Sequence, residues 1–168
     1  MLVFEKSKEW CAHERLNEVQ SINVQLAALF HDLGYRTNPD DHESESCDMF
    51  RSFASAMELR PECIDAVCQL IHYTNKRHKD HTIQLAAIMH DIDRVSMGLS
   101  SFYESGLLLK KEWAHFKGLV AEELEWIEFQ IDYLQRTEFK TVYGQKAYDP
   151  QRLINLENLL ELAASLRG

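Results

Sequence analysis

The sequence predicts an all-α fold, on three observations. Glycine and proline are scarce, six and three in 168 residues, which leaves few of the breaks that a set of short strands needs. Apolar residues recur at helical spacing, most plainly Leu124, Ile127, Ile131 and Leu134 at intervals of three, four and three. One segment alone, residues 139–143, reads as extended.

In order along the chain, a weakly patterned helix is expected over residues 3–13. The next, over 22–32, is apolar nearly all round and therefore expected to be central and buried. Gly34 should end it, and Thr37, Asn38, Pro39, Asp40 and Asp41 form a polar turn cluster able to cap a third helix over 42–57. Pro61 and Glu62 open a fourth, with proline in the tolerated first turn, ending near Tyr73. Residues 76–80 form a charged loop. A fifth helix over 82–93 looks buried like the second. Helices six and seven are expected over 100–115 and 120–136. Pro150 starts the last, which should carry Leu153, Leu156, Leu159, Leu160 and Ala163 toward the core. No linker or low-complexity tract interrupts the chain, so residues 1–168 are expected to form a single domain.

With 45% hydrophobic and 27% charged residues, the composition is that of a soluble globular protein. A formal charge of −9 argues against a nucleic-acid binder, which needs a basic face for phosphates. It leaves room for a small phosphorylated substrate, because a bound cation reverses the local field. Cys11, Cys47, Cys63 and Cys68 show no CxxC pairing and read as reduced thiols that pack helices. The charged start after Met1 is not that of a signal peptide, and no apolar stretch is long enough for a bilayer. The expected location is cytoplasmic.

One nine-residue phrase occurs twice. Residues 24–32, ending Phe30-His31-Asp32, return as residues 83–91, ending Met89-His90-Asp91. Each copy puts an imidazole and a carboxylate behind an apolar run, where ionisable groups need a compensating ion or hydrogen-bond network. Helix neighbours point about 100° apart, but at a helix end His31 and Asp32 can reach a common point. Imidazole with carboxylate suits Zn, Mn or Fe, and more carboxylate with water favours Mn or Mg. Taken alone the doublet is a weak signal, more readily met by a hydrogen-bonded structural pair. Asp93 adds weight to it. Asp91 and Asp93 are two apart and diverge, so only one should point where His31 and Asp32 point. His42 follows soon after the first pair, and His72 lies at the end of Leu70-Ile71-His72.

Residues 26–35 with their His31-Asp32, then His42-Glu43 with Ser46, then Asp91-Ile92-Asp93, resemble the HD superfamily of metal-dependent phosphohydrolases. More narrowly they are similar to small bacterial proteins predicted to be HD phosphohydrolases. The likeness continues through residues 102–106, through Trp126, Gln130 and Leu134, and into Asn155-Leu156-Glu157.

The resemblance implies an HD-domain-like helical bundle with a divalent-metal site at its centre. His31 and Asp32 match the family's doublet and Asp93 its distant aspartate, which makes these three the implied ligands. His42 and His72 lie where two-metal members place extra histidines and are candidates for a second ion. His90 is then structural. The family's first ligand histidine would fall just before Met1, and His13 is the lone histidine upstream of His31. The implied activity is hydrolysis of a phosphate ester in a small metabolite or nucleotide, with a divalent ion (Mn, Fe, Ni, Zn or Mg). Asp32, Asp91 and His42 are the candidate catalytic groups, with His72 as a further donor. The alternative is a catalytically silent HD-fold module that binds a nucleotide or a protein partner. The expected partners are a small phosphorylated substrate, with no nucleic acid and no membrane, and a homodimer is left open. Lys76, Arg77, Lys79, Lys110 and Lys111 could meet a phosphate but read equally as solvated charge. Trp113, His115 and Phe116 read as packing.

Overall fold

The structure, a computed structural model, describes residues 2–75, 77 and 80–168. The chain divides into two compact units, Met1–Asp93 and Arg94–Gly168. Among the described residues every regular element is helical, as the all-α reading expects. None of these helices is long and apolar enough to cross a membrane.

The first unit holds α1 (Leu2–His13), α2 (Glu18–Phe30), α3 (His42–Ala56), α4 (Pro61–His72) and α5 (Gln84–Asp93), with a 3-10 turn at Leu33–Arg36. Helix α2 begins four residues earlier than its apolar pattern suggested. Asn17 accepts from the Gln20 amide at 2.9 Å, and the Gln20 side chain accepts from the Asn17 amide at 3.1 Å. Two of the four amides that a helix start leaves unpaired are thereby satisfied. The helix then touches each of the other four helices of its unit. Val24, Ala27, Ala28 and Phe30 enter the core with Trp10, Phe50, Val67, Ile71, Ile88 and Met89. The expectation of burial all round is corrected, however, because Val19, Ile22 and Leu29 are exposed. Helix α5 is buried from Ala86 to Ile92, as its sequence predicts.

Two expectations about the turn after α2 also change. The helix stops at Phe30, before Gly34, and Gly34 lies inside the 3-10 turn without a left-handed backbone. It is needed for close approach: a Cβ there would sit 2.6 Å from Cβ of Glu45 and 2.7 Å from the Ser46 amide nitrogen. The polar cluster does not cap α3 through Asp41, whose side chain makes no capping bond. The Asn38 side chain instead accepts from the Asp41 amide at 3.3 Å.

The second unit holds a 3-10 turn at Val95–Gly98, then α6 (Phe102–Lys117), α7 (Glu123–Arg136), α8 (Val142–Ala147) and α9 (Asp149–Arg167). Gly118, at φ 63°, stops α6 with the left-handed residue that favours glycine. Ile127, Ile131 and Leu134 of α7 are buried in one stripe. Trp113 packs edge-on against Trp126 at 5.5 Å, while His115 and Phe116 meet each other on an exposed face.

The segment expected to be extended, residues 139–143, is no strand. It leads into α8, whose first turn is capped by the Thr141 hydroxyl accepting from the Gly144 amide at 2.9 Å. In α9 the inner stripe is Arg152, Asn155, Leu159 and Ala163, so Leu153 and Leu160 face outward, against expectation. Two polar residues take inner positions because each finds carbonyls there. Asn155 Nδ2 donates to Met97 O at 2.9 Å and to Leu99 O at 2.8 Å, and Arg152 Nη1 donates to Leu134 O at 2.6 Å. Asn155→Ala should therefore take its donor from Met97 O and leave Leu99 O with the Phe102 amide alone, at a cost of about 2 kcal/mol. A lowered urea midpoint at unchanged slope would report it.

Candidate metal centre

The end of α2 delivers the histidine. The His31 amide still donates to Ala27 O at 2.9 Å, while Asp32, at φ −105° and ψ 1°, has left the helix. The looser geometry lets both side chains turn to one point. His31 Nε2 lies 3.1 Å from Asp32 Oδ2 and 3.3 Å from Oδ1 of Asp93, the last residue of α5. One ligand atom from each of the three lies within 4.8 Å of the others. On the far side of the ring, Nδ1 is 3.0 Å from Ala28 O. A proton placed on Nδ1 for that bond leaves the Nε2 lone pair for the site, the orientation that ligating imidazoles usually have.

Two observations suit this trio to a cation. His31 Nε2 is buried and, among the described residues, makes no hydrogen bond of acceptable geometry despite its two carboxylate neighbours. A nitrogen aimed between two carboxylates is where a positive charge fits, a bound cation or the imidazole's own proton. Burial alone would make the imidazole less basic, but Asp32 and Asp93 outweigh it and push its pKa up to about 10. The pair of carboxylates thus calls for a positive charge at Nε2, which a proton supplies when no ion does. One nitrogen and two carboxylates form a borderline-to-hard donor set, compatible with Mn, Fe, Zn, Ni or Mg.

Access is one-sided. The His31 side chain is 5% exposed, that of Asp93 23% and that of Asp32 62%. At the open side stands His42, the first residue of α3, with Nε2 3.6 Å from Asp32 Oδ1 and 3.4 Å from Glu43 Oε1. Tyr35 packs edge-on against its ring at 5.5 Å. Glu43 is buried, and its pairing with His42 was not foreseen. The His-Glu step at a helix start was the available signal.

Ser46 ties this geometry together. Its hydroxyl donates to His31 O at 2.7 Å and accepts from the Gly34 amide at 2.9 Å. Ser46 is fully buried, so Ser46→Ala should leave both backbone groups unpaired. The expected loss is about 2 kcal/mol of stability, measurable by denaturant titration, together with a looser His31.

The other sequence candidates lie elsewhere. Asp91 is fully buried and turned to His90, with His90 Nδ1 at 3.0 Å from its Oδ1, and stays outside the trio. The His81 ring stands 4.5 Å from that of His90. His72 sits beside Cys47, Nε2 to Sγ 3.5 Å, and is not brought into the trio. Neither is His13, at the exposed end of α1. Lys76 and Lys79 lie outside the described residues, and Arg77 is exposed.

The four cysteines are free thiols. Burial, with Cys68 adjacent adding in the same direction, pushes the Cys47 thiol up to about 12. A raised thiol pKa holds the folded state protonated, so this contribution to stability is present below about pH 9 and lost as pH climbs toward 12. Of the four, only Cys63 is not buried. A thiol reagent near pH 7.5 should label Cys63 in the native protein and all four in denaturant, which peptide mapping would show.

A family model described as HD domain matches residues 1–98, a stretch that includes His31, Asp32 and Asp93. The likeness noted at residues 102–106, 126–134 and 155–157 lies beyond the matched part. No curated protein and no solved structure matches the chain.

Proposed function

The chain belongs to the HD domain family, and from that premise we propose that it is a metal-dependent phosphohydrolase acting on a small phosphorylated metabolite or nucleotide. The observation that supports this most is His31 Nε2, buried and without a hydrogen bond between two carboxylates. His31, Asp32 and Asp93 would hold the ion. A divalent ion supplies Lewis acidity, which draws charge from a phosphoryl oxygen and makes water a better nucleophile near neutral pH.

The chain's own groups divide the remaining work. The Ala28 carbonyl and Ser46 fix His31, so that Nε2 is already aimed at the site before any ligand arrives. Asp32 spans two tasks, one oxygen toward His31 and the other toward His42. His42, partly exposed at the open side, is the group placed to hand a proton to a departing alkoxide or orient water, with Glu43 beside it. Asp91 is turned to His90 and is given no part in this reading.

Purified protein, incubated with Mn, Fe, Ni, Zn or Mg and assayed against a panel of phosphorylated metabolites, tests the reading. Release of inorganic phosphate that needs the metal and disappears with chelator is expected. Metal retained by the trio with no turnover on any substrate would instead favour the silent HD-fold module. Neither metal nor turnover would overturn the enzyme reading and leave the silent module.

A further inference from the structure

Two of the buried cysteines face each other where α3 meets α4. Cys47 Sγ donates to Cys68 O at 3.5 Å, and Cys68 Sγ donates in return to Cys47 O at 3.8 Å. After burial, the largest influence on the Cys47 thiol is Cys68 itself, through charge and a side-chain hydrogen bond. Each side chain is thus turned toward the other, as the two halves of a disulfide must be. Two basic groups stand one turn further along the same helices. His72 follows Cys68 by four residues and puts Nε2 3.5 Å from Cys47 Sγ. Arg51 follows Cys47 by four, is paired with Asp48 at 2.9 Å, and is coupled through its charge to both thiols. His72 and Arg51 are exposed, whereas Cys47 and Cys68 are buried. A buried cysteine is ordinarily a small apolar filler. Two thiols in contact, with a proton acceptor on one and a guanidinium beside them, have instead the surroundings of redox-active sulfur.

We propose that Cys47 and Cys68 form a reversible disulfide on exposure to a peroxide, tying α3 to α4. Cys47 passes its proton to His72, and the thiolate sulfur attacks one peroxide oxygen. The O–O bond breaks, and the departing hydroxide takes the proton from His72 and leaves as water. Cys68 then attacks the sulfur of the Cys47 sulfenic acid, the S–S bond forms, and the second oxygen leaves as water with the Cys68 proton. The two thiols give up two electrons and two protons, and the peroxide becomes two waters. Burial makes the first step slow, because peroxide reaches Cys47 only when the helix pair opens locally. The second step is fast, because the partner thiol is already in place. Ser46 precedes Cys47 and holds both His31 O and the Gly34 amide, so the bond braces the element on which the metal trio leans.

Cys63→Ser removes the one thiol of the four that is not buried and gives a clean background for the test. Under excess hydrogen peroxide the three remaining thiols of the folded protein should fall to one, with a loss of about two mass units. Peptide mapping should place the bond between Cys47 and Cys68 and leave Cys11 free, and dithiothreitol should reverse it. The oxidised protein should unfold at a higher urea concentration than the reduced one, because the bond closes a loop in the unfolded chain. His72→Gln should form the same bond about tenfold more slowly yet reach the same extent in a glutathione redox buffer, a split that a histidine serving only to pack would not give. Thiols that survive peroxide in the folded protein and pair only in denaturant overturn the proposal, as does a bond made to Cys11 instead. An unchanged rate in His72→Gln overturns the proton transfer in it.

Discussion

Asp93→Ala should emerge from metal loading without its ion, and with phosphate release down by at least about 100-fold. Asp93 is the contribution of α5 to a trio otherwise held at the end of α2, so its removal takes away one of three donors and leaves His31 Nε2 with a single carboxylate. The fold should be little affected, because the Asp93 side chain is partly exposed and terminates its helix. Elemental analysis after gel filtration, with circular dichroism of the same sample, separates the two effects. An Asp93→Ala protein that retains stoichiometric metal would show that the ion sits elsewhere. Asp93→Asn keeps the shape and one oxygen donor while removing the charge, and should fall between the two.

Gly34→Ala should be the most damaging small substitution in the first unit. The added Cβ meets fixed atoms, among them the Ser46 amide nitrogen at 2.7 Å, the His42 carbonyl and the Glu45 Cβ. None belongs to the free end of a flexible side chain, so the 3-10 turn and the start of α3 must move apart. Overpacking of this kind costs roughly 3 kcal/mol. The movement also pulls the Gly34 amide from Ser46, whose other hydrogen bond holds His31. A lowered thermal midpoint should thus come with weaker metal retention. Loss of stability with full metal affinity would show that the turn and the ligand are independent.

That His31 and Asp32 meet was legible because a doublet at a helix end needs only local reasoning, whereas Asp93 was singled out over Asp91 by the family resemblance. The structure brings the three together. The divergence of Asp91 and Asp93 followed from helix geometry, and the two do face different neighbours. What was illegible depended on partners distant in sequence. The inner positions of Arg152 and Asn155 rest on carbonyls up to 58 residues away, so the leucines beside them read falsely as core. The start of α2 was missed because its cap, Asn17 with Gln20, precedes the apolar run. The exposed side of α2 was hidden for a deeper reason. Apolar spacing tells which residues share a face, and does not say whether another element of the chain covers that face.

The unequal exposure of His31 and Asp32 bears on how quickly the centre could change its ion. The imidazole is anchored by the Ala28 carbonyl of its own helix and the His31 backbone by Ser46, while Asp32 opens to solvent. Ions would therefore come and go along the Asp32 side without unfolding the chain. Occupancy would follow the free-ion concentrations of the surroundings, so that the metal found in a purified sample records the medium it came from as much as the preference of the site.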